Sequence, residues 1–463
     1  MPELPEVETV RTILEGIVEG KQIAKIHVYR AKNIVSGAEN FVASLTGETF
    51  LSVERKGKYL IFHLTHDKVV VSHLRMEGKY YEGKVGEIPD KFDLLVYDFT
   101  DGSSLRYNDV RKFGVLLLTN EEKLYCEEPL SHLGPEPWDL SSEKLYAGLQ
   151  KRKNTTIKEA LLDQSLIAGL GNIYDDETLY AAKVNPKRLA GSISLEEANT
   201  LLIEARRILK TAIAKGGSTI RSYHPSEGVD GLMQNSLLAY GQENEPCSRC
   251  GFPLRKIFIG GRGTVYCPRC QPYFGHPLVV AVSGPIASGK STVSRYLEKK
   301  GYVRIDADEI VAELYQKPSI QKRIAHLLGP SVLTSSGLDH SEMLTLLKAN
   351  PRKKKALEKM IHPLVYRTIF AKLASMNSGK VVLDVPLLLH GPLEEVADLI
   401  IYISSSEKNQ IARLVERGKD PEAALALNKG YPRALLKKKA AILLSGDGRP
   451  SDLEKELDNY KFL

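Results

Sequence analysis

The sequence predicts a multidomain chain: an antiparallel β domain, a helical domain, a metal-bound ribbon and a parallel α/β domain. Three observations predict it. Short β-like runs separated by turn signals fill residues 23–118. Four cysteines fall as Cys247-x2-Cys250 and Cys267-x2-Cys270. The apolar run "LVVAVS" at Leu278–Ser283 leads straight into the glycine-rich "GPIASGKST". A chain of 463 residues has room for about two to four domains, each with its own core.

The elements follow in order. Val7, Val10, Ile13, Leu14, Ile17 and Val18 recur at helical spacing after Pro5, which suits a first helical turn. "YLIFHL", "KVVVSHL", "DLLVYDF" and "GVLLL", parted by "DG" and "EGK", predict a sandwich or a barrel. "LSHLGPEPW" at Leu130–Trp138 is rich in proline and glycine and predicts a hinge. "TTIKEALLDQ" and "IYDDETLYAAKV" predict two helices around the tight "SLIAGLGN". A longer helix follows, opened by a Ser194–Glu197 capping box and stopped by Gly216 and Gly217. Beyond Leu278, alternating strand and helix signals predict a parallel sheet.

Charge divides unevenly. Residues 1–277 hold 35 Lys/Arg against 36 Asp/Glu, and residues 278–463 hold 29 against 21. Yet Pro246–Pro277 carries Arg249, Arg255, Lys256, Arg262 and Arg269 with no acid, a local basic face suited to phosphate. No stretch reaches the apolar length of a membrane span, and the N-terminus lacks a secretory pattern. Five cysteines without an export signal predict reduced thiols and a cytoplasmic protein, with no membrane partner.

Chemistry concentrates at three places. The paired Cys-x2-Cys knuckles supply four soft ligands from two turns, the pattern of one structural Zn²⁺, and Arg262 sits among glycines in the hairpin between them. At the chain start, removal of the initiator methionine would leave Pro2 with a secondary amine. Amines of that kind have a pKa of about 7.7–8.0 and can attack a sugar carbon, with Glu3 beside it as proton donor. Two residues alone equally suit a proline that merely starts a helix. The third place is the phosphate loop: Gly284, Ala287, Ser288, Gly289, Lys290, Ser291 and Thr292 fit G-x4-G-K-[ST] between a strand and a helix. Backbone N–H groups there cradle ATP phosphates, Lys290 reaches the β- and γ-phosphates, and Ser291 binds Mg²⁺.

Two families are resembled. "MPELPEVETV", "GKYL", "SHLRMEGKY", "DVRKFG", "HLGPEP", "IKEALLDQSLIAGLGNIYDDE", "GGSTIRSY" and "YGQENEPCSRCG…GRGTVYCPRCQ" occur in one order over residues 1–272. Together they resemble the formamidopyrimidine-DNA glycosylases. The resemblance implies Pro2 as nucleophile, Glu3 and Lys58 as proton donors, and Arg262 as a phosphate group in elimination. It implies Met76, Arg111 and Phe113 as fillers of the gap left by the flipped base, with Lys153, Lys158 and Asn172 on the DNA backbone. "GGSTIRSYHPSEG" would cover the extruded base. Two departures are Phe92, where a histidine is usual, and Asp175, where a small residue is usual.

"VAVSGPIASGKSTVSRYLEKKGYVRIDADEI", "LEKMIHPLV" and "VVLDVPLLL" resemble dephospho-coenzyme A kinase over residues 278–450. That implies Asp308 as the base on the ribose 3′-hydroxyl, Arg413 as a lid arginine with Arg417 close by, and His362 and Pro363 near the acceptor. His390, the segment "LNKGYPRALLKKKA" and "AAILLSGDG" depart from the pattern.

The expectation is a natural fusion with four domains. These are a β-sandwich over 1–130, a helix–two-turn–helix domain over 131–245, a zinc ribbon over 246–272 and a P-loop kinase over 278–463. Its partners are double-stranded DNA with oxidised purines, ATP and dephospho-coenzyme A, and it acts as a monomer. Alternatives are a non-catalytic nucleotide-binding second half and a lesion-binding first half without chemistry. A further one is an oxidised-pyrimidine glycosylase, against which "PELPE" and the Met76/Arg111/Phe113 set argue.

Overall fold

The computed structural model describes the chain except residues 219–230, 274–276, 336, 377–378, 386–392, 419, 422–424, 426–432 and 462. Most of the "GGSTIRSYHPSEG" loop, His390 and the start of "LNKGYPRALLKKKA" therefore lie outside the described residues. The chain forms two compact units, residues 1–243 with 256–266, and residues 244–255 with 267–463.

The first unit begins with α1 (Leu4–Val18), whose first turn holds Pro5 and whose buried stripe is Leu4, Val7, Val10, Leu14 and Val18. Strands β1 (Ile23–Val28), β6 (Asp93–Phe99), β7 (Ser103–Asn108) and β5 (Lys79–Lys84) make one antiparallel sheet in that order. Strands β2 (Phe50–Lys56), β3 (Tyr59–Leu64), β4 (Lys68–His73) and β8 (Val115–Asn120) make the other. One apolar cluster joins both sheets, so the choice between barrel and sandwich falls to a sandwich. Phe50 of one sheet meets Tyr97 of the other edge-on at 5.7 Å, the favoured aromatic geometry. Helix α2 (Ala38–Leu45) interrupts the β-rich stretch and buries Phe41 and Leu45.

Helices α3 (Ser142–Lys151), α4 (Ile157–Leu162), α5 (Asn172–Ala181) and α6 (Leu195–Ala214) surround a second core. The Ser194–Glu197 capping box forms as expected, with Ser194 Oγ accepting the Glu197 N–H at 3.1 Å. Strands β9 (Arg255–Ile259) and β10 (Arg262–Tyr266) form the two-stranded hairpin.

The second unit holds a five-stranded parallel sheet. Its strands are β11 (Leu278–Ser283), β12 (Val303–Asp306), β15 (Lys380–Asp384), β16 (Leu399–Ser404) and β17 (Ile442–Ser445), ordered β12-β15-β11-β16-β17. A short hairpin, β13 (Leu333–Thr334) with β14 (Gly337–Leu338), lies apart from it. Strand order reverses at β11, and in open parallel sheets ligands bind beyond the C-terminal strand ends at that point. Helix α7 (Lys290–Lys299) begins there. Helices α8 (Ala307–Tyr315), α9 (Pro318–Leu328), α10 (His340–Ala349) and α11 (Pro351–Ala374) pack with β11, β12 and β15 in one apolar core. Among the described residues no helix is long and apolar enough to cross a membrane.

Candidate active sites

In the first unit, chemistry gathers at the N-terminus of α5. Glu3 is 2% exposed, and its carboxylate accepts the backbone N–H groups of Gly171 (2.8 Å), Ile173 (2.8 Å) and Tyr174 (3.3 Å). Those N–H groups are orphan donors of a helix start, where the helix dipole also favours negative charge. The approach demands glycine: a Cβ on Gly171 would lie 2.3 Å from the Glu3 Cδ. Glu6, one turn on, accepts from the Glu3 N–H (2.9 Å), the Ser218 N–H (2.7 Å) and the Tyr174 hydroxyl (2.5 Å). Burial, then the neighbouring Glu3 charge, pushes the Glu6 carboxyl above its ordinary range.

Pro2 is buried beside Glu3. The amine at the chain start, here on Met1, is held below its ordinary value mainly by burial, with Glu3 and Glu6 opposing. Lys58 donates to the Leu170 carbonyl at 2.6 Å, and burial lowers its ammonium to about 8. Glu3 resists that fall and Arg262 adds to it, so Lys58, Glu3 and Arg262 share one electrostatic neighbourhood. The hairpin is tied to the same helix start: Asn172 Nδ2 donates to the Gly263 carbonyl (2.8 Å), and the Val265 N–H donates to Asp176 (3.0 Å). Glu3, Lys58, Asn172 and Arg262, spread over 260 positions of sequence, thus converge.

Met76 and Phe113 are 37% and 54% exposed, which leaves both side chains accessible as wedges. The Arg111 guanidinium lies 5.1 Å from the Phe113 ring centre. Asp109 organises that loop by accepting the N–H groups of Arg111, Phe113 and Gly114. Lys153 is exposed just beyond α3. Lys158 corrects the expectation of a backbone contact. Its ammonium is fully buried, 2.6 Å from Asp176 and 3.2 Å from Asp175, and donates to the Asn172 carbonyl at 3.4 Å. A cation already enclosed by two carboxylates does not reach a DNA phosphate. Asp175, the departure after "GNIY", is its second counter-charge, and burial raises that carboxyl to about 7.

The sulfur atoms of Cys247, Cys250, Cys267 and Cys270 all lie within 4.8 Å of one another. Tetrahedral zinc with bonds of about 2.3 Å spaces its sulfurs about 3.8 Å apart. The observed 3.9 Å (Cys247–Cys270) and 3.6 Å (Cys250–Cys267) fit it.

In the second unit Gly289 adopts φ +105°, a left-handed conformation that favours glycine, and caps the start of α7. Lys290 lies folded back on the Gly284 and Pro285 carbonyls at 3.0 and 2.9 Å. Burial lowers its ammonium, while Asp384 and Asp308 oppose the fall. Both acids therefore lie within electrostatic reach of Lys290. Asp384 closes β15 and accepts from Ser294 at 2.8 Å; Asp306 caps α8 through the Asp308 N–H at 2.8 Å. Arg413 donates to the carbonyls of Ala287 (3.0 Å), Gly448 (3.2 Å) and Gly446, binding the loop to the 446–448 turn. That turn comes so close that a Cβ on Gly446 would lie 1.9 Å from the Ser288 carbonyl oxygen.

Comparison with known proteins agrees with this geometry. The formamidopyrimidine-DNA glycosylase N-terminal domain matches residues 1–116, and its H2TH domain matches 133–224. The zinc finger found in FPG and IleRS matches 244–272. A formamidopyrimidine-DNA glycosylase of an Exiguobacterium species is 49% identical over 275 residues, 58% of this chain and 99% of the relative. That of Bacillus subtilis is 47% identical over 276 residues, again 58% and 99%. The chain belongs to the formamidopyrimidine-DNA glycosylase family.

Beyond that glycosylase portion, the dephospho-CoA kinase family matches residues 278–442. A Lactococcus lactis formamidopyrimidine-DNA glycosylase solved with Fapy-dG containing DNA is 40% identical, with a TM-score of 0.56 over 59% of this chain and all of that one. A relative solved with carbocyclic 8-oxo-G containing DNA gives the same figures.

Sequence reasoning missed four groups. Glu6 was legible only as the acid of a capping box in "ELPE". His73, whose ring burial lowers to about 3, accepts the Arg75 N–H at 2.9 Å and shapes the turn before Met76. Asp384 could have been found as the acid that ends the apolar run "VVLD". Asp447, which accepts the Ser406 N–H at 2.7 Å and holds the 446–448 turn, carried no signal.

Proposed function

We propose that the chain is two enzymes in one polypeptide, a DNA glycosylase/lyase for oxidised purines and a dephospho-coenzyme A kinase. The observation that carries the first reading is Glu3 fixed on three N–H groups of α5, in the electrostatic neighbourhood of Lys58 and Arg262. Once Met1 is removed, the Pro2 nitrogen bonds to C1′ of a flipped-out 8-oxoguanine or formamidopyrimidine nucleotide, and the bond to the base breaks. Glu3 delivers a proton to the opening sugar, and Lys58 protonates the departing group and meets phosphate. The resulting iminium acidifies the C2′ proton; its loss expels the 3′ phosphate, and a second elimination expels the 5′ phosphate, with Arg262 balancing charge. Met76 and Phe113 fill the vacated stack, and Arg111 meets the orphaned cytosine. Asn172 and Lys153 hold the backbone. Cys247, Cys250, Cys267 and Cys270 would hold one Zn²⁺, which would supply structural support to the ribbon.

In the kinase portion, Asp308 accepts the proton of the ribose 3′-hydroxyl, whose oxygen attacks the γ-phosphorus of ATP while the bond to ADP breaks. Residues 284–292 cradle the phosphates, Lys290 swings from its carbonyls to them, and Arg413 holds the cradle closed. Ser291 and Asp384 would hold Mg²⁺, which neutralises phosphate charge.

One preparation tests both readings. Borohydride should trap the protein covalently on 8-oxoguanine duplex, and ATP with dephospho-coenzyme A should yield coenzyme A. Failure to trap with Met1 removed overturns the first reading. Failure to form coenzyme A with ATP bound overturns the second, leaving a nucleotide-binding module.

A further inference from the structure

The positive surplus of the second half is not spread through it. Between Lys317 and Lys372 there are eleven Lys/Arg and three Asp/Glu, whereas the rest of residues 278–463 holds eighteen of each. The whole excess therefore sits at Lys317 and on α9, α10 and α11, away from the phosphate loop in sequence. Structure focuses it further. Lys322, Arg323, His326 and Leu327 of α9 and Ala356 and Met360 of α11 line one groove of about 370 Å³, with an aliphatic floor and a cationic rim. Arg352 and Lys359 stand four before and three after Ala356, which puts them on the α11 side of the same face. Lys353 caps the end of α9 by donating to the Leu328 carbonyl at 2.8 Å.

These cations are not spent internally. Lys322, Arg323, Arg352, Lys355 and Lys359 are exposed, and among the described residues none of them is in an ion pair. No acid lines the groove. Holding so many like charges together costs stability unless an anion meets them.

We infer that this face binds the phosphate backbone of duplex DNA, giving the kinase portion a second hold on the nucleic acid. The inference rests on the reading that the first portion works on DNA. The size of the surplus selects the partner. A small acceptor with one diphosphate presents about two charges, whereas a duplex presents one per about 1.7 Å of axis and suits cations spread over two helices. Helix α11, with 24 residues, is about 36 Å long, close to one DNA turn of about 34 Å. Binding of this kind is independent of sequence and retains the chain on undamaged DNA between lesions.

The test uses the full chain and an undamaged duplex of about three turns, or about 30 base pairs. The variant carries Lys322→Gln, Arg323→Gln, Lys355→Gln and Lys359→Gln together. Its affinity should fall at least about tenfold at low salt, and the slope of log K against log salt should become shallower by about 3 to 4, at about 0.9 per contact. Exchanging Lys for Arg and Arg for Lys at the same four positions should restore both. Should the first variant fail to fold, photocrosslinking of the parent to 5-iodouracil duplex decides: crosslinks within residues 318–328 and 351–374 are expected. Crosslinks confined to residues 1–272, or an unchanged slope, overturn the inference. So does loss of dephospho-coenzyme A affinity with duplex binding intact, which reassigns the face to the acceptor. Borohydride trapping on 8-oxoguanine duplex runs in parallel; its absence in the parent condemns the glycosylase reading instead.

Discussion

The two active regions are assembled in opposite ways. In the glycosylase portion, Glu3 meets N–H groups 168 to 171 positions away, and Lys58 meets a carbonyl 112 away. In the kinase portion, the phosphate loop is nine consecutive residues, 284–292, running from the end of one strand into the first turn of one helix. The first site exists only when the sandwich and the helical core are both folded. The second is largely made by its own strand–loop–helix, and long-range contacts such as Arg413 merely brace it. A dispersed site is open to damage from distant substitutions, and a contiguous one resists it.

The strongest way to break this contrast is a pair of direct losses. Pro2→Gly should abolish borohydride trapping and strand cleavage by on the order of 10³-fold or more, and leave coenzyme A formation unchanged. Lys290→Ala should lower coenzyme A formation by on the order of 10³-fold and leave trapping intact. If either substitution disables both reactions, the portions are coupled and the contrast fails.

A substitution that adds only a methyl group sharpens it. Gly171→Ala puts a Cβ against the Glu3 side chain. Displacing that carboxyl should cost about 10²-fold in cleavage, since misplacement by about 1 Å has that effect. Circular dichroism and coenzyme A formation should be unchanged. Equal cleavage by the variant would show that Glu3 does not depend on the α5 N-terminus.

Acidity gives smaller effects. Lys58, lowered to about 8 by burial, should impose an alkaline limb on cleavage near that pH. Lys58→Arg, which stays charged, should remove the limb even if its rate is lower. The buried Lys158–Asp175–Asp176 group carries a pH-dependent share of the stability. Asp175 titrates near 7 when folded and about 3.9 when unfolded, so the unfolded chain releases its proton first. Stability from this group therefore falls as pH rises through that window. Asp175→Asn removes the titration, and its melting temperature should decline less than the parent's between those pH values. Parallel melting curves would show that Asp175 is ionised throughout.

The fold was readable because its signals are local. Alternating runs marked the strands, Ser194 and Glu197 marked α6, and cysteine spacing marked the ribbon. The sandwich needed the structure, since turn signals do not say which sheet a strand joins. The metal site was readable where residue and role coincide, at Cys247, Cys250, Cys267 and Cys270. The glycosylase site was misread at Lys158, because spacing on a helix shows a lysine and not the Asp175 and Asp176 that enclose it. Glu6 was hidden for a related reason: its partners Tyr174 and Ser218 lie 168 and 212 positions away.

By itself, then, the sequence determined the order of the portions and the family each one matches, because the cysteine spacing, the glycine-rich loop and the ordered motifs are each written in a few adjacent residues. Only the tertiary structure decided which charges are free to use. An ammonium or carboxylate is available or spent according to what folding packs against it: Lys158 is spent inside, while Lys322 and Arg323 are left facing solvent.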